Sequence, residues 1–301
     1  MKRKIIALIM GTVIMLGTAS GCAKKSDRVQ EGSNSEIFEE LPAGELPAEQ
    51  TPAEVPKINE IPETEIPEEE VPETPAVTIP EPQTQPGQPE VQTVFYICVT
   101  AEGVNIRSGA GTNYPFLGTA EKSTLYACLG EENGFYKSNY RNKTAYISKK
   151  YCRLVEMERG DDLIEAVISE GVKLLGTPYV YGAVRLHDGK GTMYKSFTVN
   201  EFDCSSLMQY MFYKGADKLI DVNTRTQIYQ GTTVEKSKWK RGDLIFFTND
   251  SRKNNKGIER VGHVAMYLGD NYILHTASDY AKIEQVSSLR WSYYIQAQRM
   301  I

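Results

Sequence analysis

A cysteine and two histidines are the side chains that the sequence places best for chemistry. Cys204 stands in the run Phe-Asp-Cys-Ser-Ser-Leu, where a loop enters a predicted helix, and His263 and His275 lie on two neighbouring predicted strands. The thiolate is the reactive form of cysteine, and helix N-terminal amides and a nearby imidazolium both lower a thiol pKa. A histidine base needs hydrogen-bond reach to the thiol and a partner that fixes its tautomer. The pattern predicts Cys204 as nucleophile, His263 as its base and His275 as the residue that orients the base.

The elements that must position these side chains are two helices and a set of strands. Residues 161–175 carry apolar side chains at helical spacing, and residues 205–215 present a second apolar helical face. Short strand-like runs follow at residues 243–248, 263–268 and 272–276. Helices followed by antiparallel strands predict an α+β domain, which we bound at residues 159–301.

Six short β-branched and aromatic runs precede that domain, with Gly, Asn and Ser between them. They lie at residues 94–99, 104–107, 116–120, 124–129, 135–140 and 144–148. Closely spaced short strands predict a small all-β barrel. We bound this first domain at residues 93–156.

Five motifs of the second domain, in their order, resemble the NlpC/p60 family of papain-like bacterial cell-wall endopeptidases. They are Gly-Thr-Pro-Tyr-Val-Tyr-Gly, Phe-Asp-Cys-Ser-Ser-Leu, Arg-Gly-Asp-Leu-Ile-Phe-Phe, Gly-His-Val-Ala-Met-Tyr-Leu-Gly and His-Thr-Ala. In the first domain, Gly-Val-Asn-Ile-Arg-Ser-Gly and Asn-Gly-Phe-Tyr-Lys resemble the bacterial SH3-like (SH3b) wall-associated domain. The resemblances imply a papain-like NlpC/p60 catalytic domain preceded by a small all-β SH3-like barrel.

The NlpC/p60 resemblance implies a peptidoglycan hydrolase that cuts the stem peptide through a thioester intermediate. The implied bond joins γ-D-glutamate to the following diamino acid. Cys204 would attack the carbonyl, His263 would carry the thiol proton to the leaving amine, and His275 would orient His263. Two alternatives stay open: another cysteine amidase or acyl-transfer activity on cell-wall peptide, and a catalytically silent wall-binding lipoprotein.

The same resemblance implies that Tyr179, Asp203 and Ser205 bind substrate. Asp203 would hold a substrate amino group, cap the following helix, or do both. The loop at residues 184–200 is long, and we expect it to rim or gate the cleft. The loop at residues 249–260 is polar, and we expect it to lie at the surface next to His263. His187, in the first loop, is predicted to be solvated. No zinc-ligand spacing or phosphate loop occurs, so we expect neither metal nor cofactor.

The SH3-like resemblance implies that the first and last strands of the barrel lie side by side. Cys98 would then approach Cys152, either as a disulfide or as two reduced core thiols. The barrel is expected to dock against the catalytic domain, where it would narrow the cleft or bind wall peptide.

The first 92 residues predict an exported, tethered protein. Residues 1–22 combine a basic start, an apolar run and small residues before Cys22, as in a lipoprotein signal whose cysteine is acylated. Residues 23–92 hold twelve of the fourteen prolines, and residues 31–92 carry 16 Glu and one Lys, so this segment is predicted to be a solvated linker. We expect a monomer that is held at the membrane through Cys22, acts outside the cytoplasm and binds no nucleic acid.

Overall fold

The computed structural model describes residues 92–301, and the predicted signal, Cys22 and the linker up to residue 91 lie outside the described residues. Its first part is built of eight strands with one 3₁₀ turn, Lys149–Tyr151, before the last. The strands are β1 Thr93–Val99, β2 Val104–Arg107, β3 Phe116–Ala120, β4 Leu125–Ala127, β5 Glu131–Glu132, β6 Phe135–Tyr140, β7 Lys143–Ser148 and β8 Cys152–Glu158. The six predicted strands are all present, which confirms the small all-β domain.

Strand β1 pairs along its whole length with β8, as the SH3-like resemblance implied. Cys98 lies opposite Arg153, and Val99 lies opposite Cys152, so the two cysteines are close neighbours. Both are free thiols, which is the second of the two alternatives. Burial, followed by the neighbouring Cys98, raises the pKa of Cys152 to about 12, so that thiol is protonated at neutral pH.

The second part contains two long helices and two short ones. The helices are α1 Asp162–Val172, α2 Cys204–Ala216, α3 Thr224–Gln227 and α4 Ser288–Ser292. Helix α1 begins after Asp161, whose side chain accepts a hydrogen bond from the amide of Ile164. Helices α1 and α2 pack closely because Gly215 has no side chain: a Cβ there would lie 2.4 Å from Cα of Val167. The two helices therefore form one buried layer.

Six strands complete the second part. They are β9 Thr232–Thr233, β10 Leu244–Phe247, β11 His263–Gly269, β12 Tyr272–Ala277, β13 Tyr280–Gln285 and β14 Tyr294–Arg299. Helix α2 covers one face of β11 and β12 through Leu207, Met208, Met211 and Phe212, all fully buried. The predicted α+β class is confirmed. Strands β9, β13 and β14 were not predicted, because none of them is a continuous β-branched or aromatic run like those used to identify the other strands.

One nine-stranded sheet runs through both parts, in the order β8-β1-β4-β13-β12-β11-β10-β14-β9. The junction is the pairing of Leu125 on β4 with Ile283 on β13. Beside it, Lys282 forms ion pairs with Asp279 and with Glu121 of the first part. The all-β part is thus docked edge to edge against the strand that follows the one carrying His275.

A buried ion pair fixes the same contact on the helical face of the sheet. Arg241 donates to Glu165 of α1 at 2.6 Å and to the hydroxyl of Tyr96 on β1 at 2.6 Å. The side chain of Arg241 is almost fully buried, so these partners compensate the cost of burying its charge. Among residues 92–301 no helix is long and apolar enough to cross a membrane.

Candidate active site

Cys204 is the first residue of α2, and its side chain is buried against the start of β11. The helix begins here because Asp203 has extended backbone geometry and its carboxylate accepts from the next amides. The backbone amides of Val264, which follows His263, and of Ser205 donate towards the Cys204 sulfur. The structure therefore brings the predicted nucleophile to the strand that carries the predicted base.

The protonation state of the pair differs from the sequence-based expectation. Burial, and after it the Asp203 carboxylate, raise the pKa of Cys204 to about 12. Burial also lowers the pKa of His263 well below its ordinary value, and His275 and Arg290 lower it further. The expectation of a lowered thiol pKa is thus wrong: desolvation exceeds the effect of the helix amides. At neutral pH the resting pair is a thiol beside a neutral imidazole.

A chain of hydrogen bonds leads away from the predicted base. Nε2 of His263 lies 3.0 Å from Nδ1 of His275, and the two rings meet at 78°. Nε2 of His275 in turn lies 3.0 Å from Oε1 of Glu284 on β13. Burial raises the pKa of Glu284, but the bond to His275 and the charges of Arg290 and Lys282 outweigh it and hold the pKa at about 2. His263 and His275 are therefore brought together as predicted, with an ionised carboxylate behind them.

Asp203 and Ser205 form a compact polar group beside the nucleophile. Oδ1 of Asp203 accepts from the amides of Ser205 and Ser206 at 3.1 and 2.8 Å, and from the Ser205 hydroxyl at 2.9 Å. Oδ2 pairs with Arg185 at 2.7 Å, and Arg185 also donates to the Ser205 hydroxyl at 3.2 Å. The capping role of Asp203 is confirmed. Its contact with a substrate amino group stays a prediction.

Tyr179 lies half-buried near Cys204 and Asp203. A bridge to Phe202 and a hydrogen bond from its amide to the Asp279 carbonyl hold its backbone in place. Burial, and after it Cys204 and Asp203, raise the pKa of Tyr179 to about 12, because the phenol lies near both groups. Its hydroxyl is therefore protonated at neutral pH and can donate a hydrogen bond in the site.

The prediction that His187 is solvated is wrong. Its side chain is fully buried, and Nδ1 accepts a hydrogen bond from the amide of Gly189 at 3.0 Å. The side chain of Gln209 on α2 donates to its carbonyl at 3.1 Å and accepts from its amide at 3.3 Å. The first loop is therefore attached to helix α2, although the loop sequence shows no apolar periodicity that would indicate this.

The second loop lies at the surface. The 3₁₀ turn Gly257–Arg260 holds Glu259, which pairs with Arg225 of α3 and with Arg252 within the loop. Gly262 directly precedes His263, and a Cβ at Gly262 would lie 2.5 Å from the side-chain nitrogen Nδ2 of Asn249. The loop thus packs against the residue before the predicted base.

Sequence reasoning missed two residues of the site, Arg185 and Glu284. Arg185 comes from a loop with no regular pattern, and its partner Asp203 is 18 residues away. Glu284 belongs to a strand in which charged and apolar residues alternate, and this alternation was the available signal. Among residues 92–301 no cluster of three or more histidine, cysteine or acidic side chains is arranged to hold a metal ion.

The chain is similar to two known domain families. Residues 176–300 match the NlpC/P60 family, and residues 102–152 match the bacterial SH3 domain. A solved structure of an NlpC/P60 family protein from Bacillus cereus is 23% identical, with a TM-score of 0.36, and covers 69% of this chain and 63% of that one.

Two curated relatives each match about half of this chain. One, the peptidoglycan DL-endopeptidase CwlO of Bacillus licheniformis, is 30% identical over 147 residues, which are 48% of this chain and 29% of the relative. The other, a γ-D-glutamyl-L-lysine dipeptidyl-peptidase of Bacillus subtilis, is 27% identical over 161 residues, 54% of this chain and 47% of the relative. The chain spans less than half the length of either. It carries a domain of the NlpC/P60 family, preceded by a bacterial SH3 domain.

Proposed function

We propose that the protein is a cysteine peptidase that hydrolyses peptidoglycan stem peptides. The observation that carries the proposal is the arrangement of a buried cysteine at a helix start, beside the first residue of a strand whose histidine is hydrogen-bonded to a second histidine. Both curated relatives described above have names that denote peptidases, and one is named for peptidoglycan. Geometry and similarity support the same reaction class.

The proposed reaction begins with a neutral thiol and a neutral imidazole. His263 removes the proton from Sγ of Cys204 as the sulfur attacks the peptide carbonyl, so charge develops only when substrate is bound. The tetrahedral oxyanion lies near the Cys204 backbone amide, which has no acceptor within the helix because it belongs to the first turn. His263 then gives its proton to the leaving amine, and a thioester remains. Water, deprotonated by His263, hydrolyses the thioester and restores the thiol.

The proposed bond is the one between γ-D-glutamate and the following diamino acid. Support comes from the Bacillus subtilis relative, whose name specifies γ-D-glutamyl-L-lysine. We further propose that Tyr179 and Ser205 contact the substrate, since Ser205 follows the nucleophile in the chain and Tyr179 lies near it. The protein would act outside the cytoplasm as a monomer, held by a lipid on Cys22, and the linker would give it reach from the membrane.

The test uses the full-length chain and defined muropeptides, with products identified by mass spectrometry. The variants are Cys204→Ala and, as a matched control, Cys128→Ala, which removes a half-buried thiol of the SH3 domain. We expect the intact protein and Cys128→Ala to release fragments that end in γ-D-glutamate, and Cys204→Ala to release none.

The other outcomes discriminate between the alternatives. A Cys204-dependent product from a different bond, or a transfer product, would keep the nucleophile and replace the substrate or the acceptor. If no variant alters any muropeptide while all of them bind intact wall, the protein is a wall-binding lipoprotein and the peptidase proposal is wrong.

A further inference from the structure

The hydrogen-bond chain from His263 to Glu284 contains a tautomer choice that decides whether His263 can act as a base. The bond between Nε2 of His263 and Nδ1 of His275 needs one hydrogen, and either ring could supply it. If His275 supplies it, Nε2 of His263 is the acceptor. The His263 proton then sits on Nδ1, and the neutral ring has no free lone pair for a thiol proton.

The last link of the chain removes the ambiguity. An ionised carboxylate can only accept hydrogen bonds, so Nε2 of His275 must carry the hydrogen in the 3.0 Å contact with Oε1 of Glu284. A neutral His275 then has a bare Nδ1, which must accept. Nε2 of His263 consequently carries a hydrogen, and Nδ1 of His263 is left with its lone pair.

We propose that Glu284 is a positioning residue that sets the tautomers of both histidines and leaves Nδ1 of His263 free to take the Cys204 proton. The inference rests on the proposed function for its catalytic consequence. Glu284 acts through His275 and never touches substrate. A second effect follows on proton transfer, because the imidazolium of His263 gains a hydrogen-bond chain that ends on a negative charge.

Positively charged side chains beside Glu284 keep its carboxylate ionised. Arg290 of α4 donates to Oε1 of Glu284 at 3.3 Å, and Lys282, two residues earlier on β13, also lowers the pKa of that carboxyl. Burial lowers the pKa of His275, so it remains a neutral acceptor at Nδ1. Burial lowers the pKa of His263 as well, followed by the effects of His275 and Arg290.

Glu284→Gln isolates the property on which the proposal depends. A glutamine amide can accept from His275 through its oxygen or donate to it through its nitrogen, so it permits both tautomer chains. The size and position of the side chain are kept. Glu284→Asp keeps the charge and therefore the tautomers. Glu235→Gln is the matched control, because Glu235 is an exposed acid that pairs with Lys238 and takes no part in the hydrogen bonds from His263 to Glu284.

The experiment measures tautomers and rates on the full-length chain. The chain has only three histidines, so ¹⁵N chemical shifts of labelled imidazole nitrogens can be assigned with single-histidine variants. In the wild type we expect hydrogen on Nε2 and none on Nδ1 for both His263 and His275. His187, whose Nδ1 accepts from Gly189, is an internal reference that Glu284→Gln should not change.

In Glu284→Gln we expect a mixture of tautomers for His263 and His275. We also expect kcat to fall about 10- to 100-fold with little change in KM, the scale seen when residues that orient metal-binding histidines are replaced. The acidic limb of the rate profile should move to lower pH, because His263 becomes a weaker base. Glu284→Asp should keep the wild-type tautomers, and Glu235→Gln should behave as wild type.

The proposal is overturned if His263 of the wild type carries its hydrogen on Nδ1, or if Glu284→Gln keeps the wild-type ¹⁵N pattern. It is also overturned if activity falls without a shift of the acidic limb, since a structural defect would do that. The ¹⁵N result does not depend on activity. It therefore tests the tautomer assignment even if the proposed peptidase reaction fails.

Discussion

The carboxylate of Asp203 has two roles at the start of α2, and substitution can separate them. Asp203→Ala removes the Oδ1 atom that accepts from the amides of Ser205 and Ser206, together with the negative charge opposite Arg185. Asp203→Asn keeps an oxygen for the two amides and removes only the charge. The difference between the two variants therefore isolates the helix cap, and Asp203→Asn alone isolates the ion pair.

The structure sets the expected sizes. Loss of an N-cap costs about 0.5–2 kcal/mol, and a hydrogen bond to a charged group contributes about 1.5–3 kcal/mol. The side chain of Arg185 is 20% exposed and also donates to the carbonyls of Val222 and Ala183, so it keeps partners when the charge of Asp203 is lost. We expect Asp203→Asn to lower the free energy of unfolding by about 1–2 kcal/mol and Asp203→Ala to lower it by about 3 kcal/mol.

The assay is urea unfolding at neutral pH, with Arg185→Gln added to complete a double-mutant cycle. We expect a coupling energy of about 1–2 kcal/mol between Asp203→Asn and Arg185→Gln, because the two groups are in direct contact. A coupling energy near zero would show that the 2.7 Å pair contributes no net stability. Equal losses for Asp203→Asn and Asp203→Ala would refute the capping argument instead.

Three further predictions follow from burial and close contacts. The pKa of Glu284 is about 2 in the fold against 4.5 ordinarily, so its contribution is present above pH 4.5 and is lost as the pH falls from 4.5 towards 2. Glu284→Gln should remove about 1–2 kcal/mol of that acid-dependent stability in urea titrations, a value reduced for the partial exposure of the carboxylate. Because the pKa of Cys204 is about 12, its alkylation by iodoacetamide should accelerate about tenfold per pH unit from pH 7 to 10, and a plateau would indicate a preformed thiolate. Gly176→Ala should cost more than about 2 kcal/mol in thermal unfolding, because its φ is +84° and a Cβ would lie 2.0 Å from the Tyr140 ring. Gly130→Ala, with φ +133° but open space, should cost less.

Local patterns carried most of the fold. Strands β2, β3 and β6 have the predicted bounds, because short β-branched and aromatic runs end at Gly, Asn or Ser turns. Strand β13 escaped because Lys282 and Glu284 interrupt its apolar residues. In the fold both charged side chains make specific contacts. Lys282 pairs with Glu121 of the SH3 domain, and Glu284 accepts a hydrogen bond from His275.

In the site, too, local motifs predict the positions of residues, but contacts between distant parts of the sequence decide the rest. The placement of Cys204, His263 and His275 follows from local motifs, since each stands at a helix start or on a short strand. The protonation of the pair does not, because burial by distant elements decides it. Arg185 and His187 come from a loop whose attachment to α2 depends on contacts made across 18 and 22 residues of sequence.

Because one nine-stranded sheet runs through both parts, the two parts cannot be cut apart at the boundaries of the family matches without breaking that sheet. The two family matches, residues 102–152 and 176–300, leave out β1, nearly all of β8 and α1, which are elements that join the two parts. A catalytic piece cut at residue 176 would lose a helix layer and leave β13 as an open edge, a template for pairing with other chains. We expect such a piece to aggregate and the intact 92–301 region to unfold in a single cooperative transition. An exchange of SH3 domains between relatives would succeed only where the new domain supplies a strand that pairs with β13.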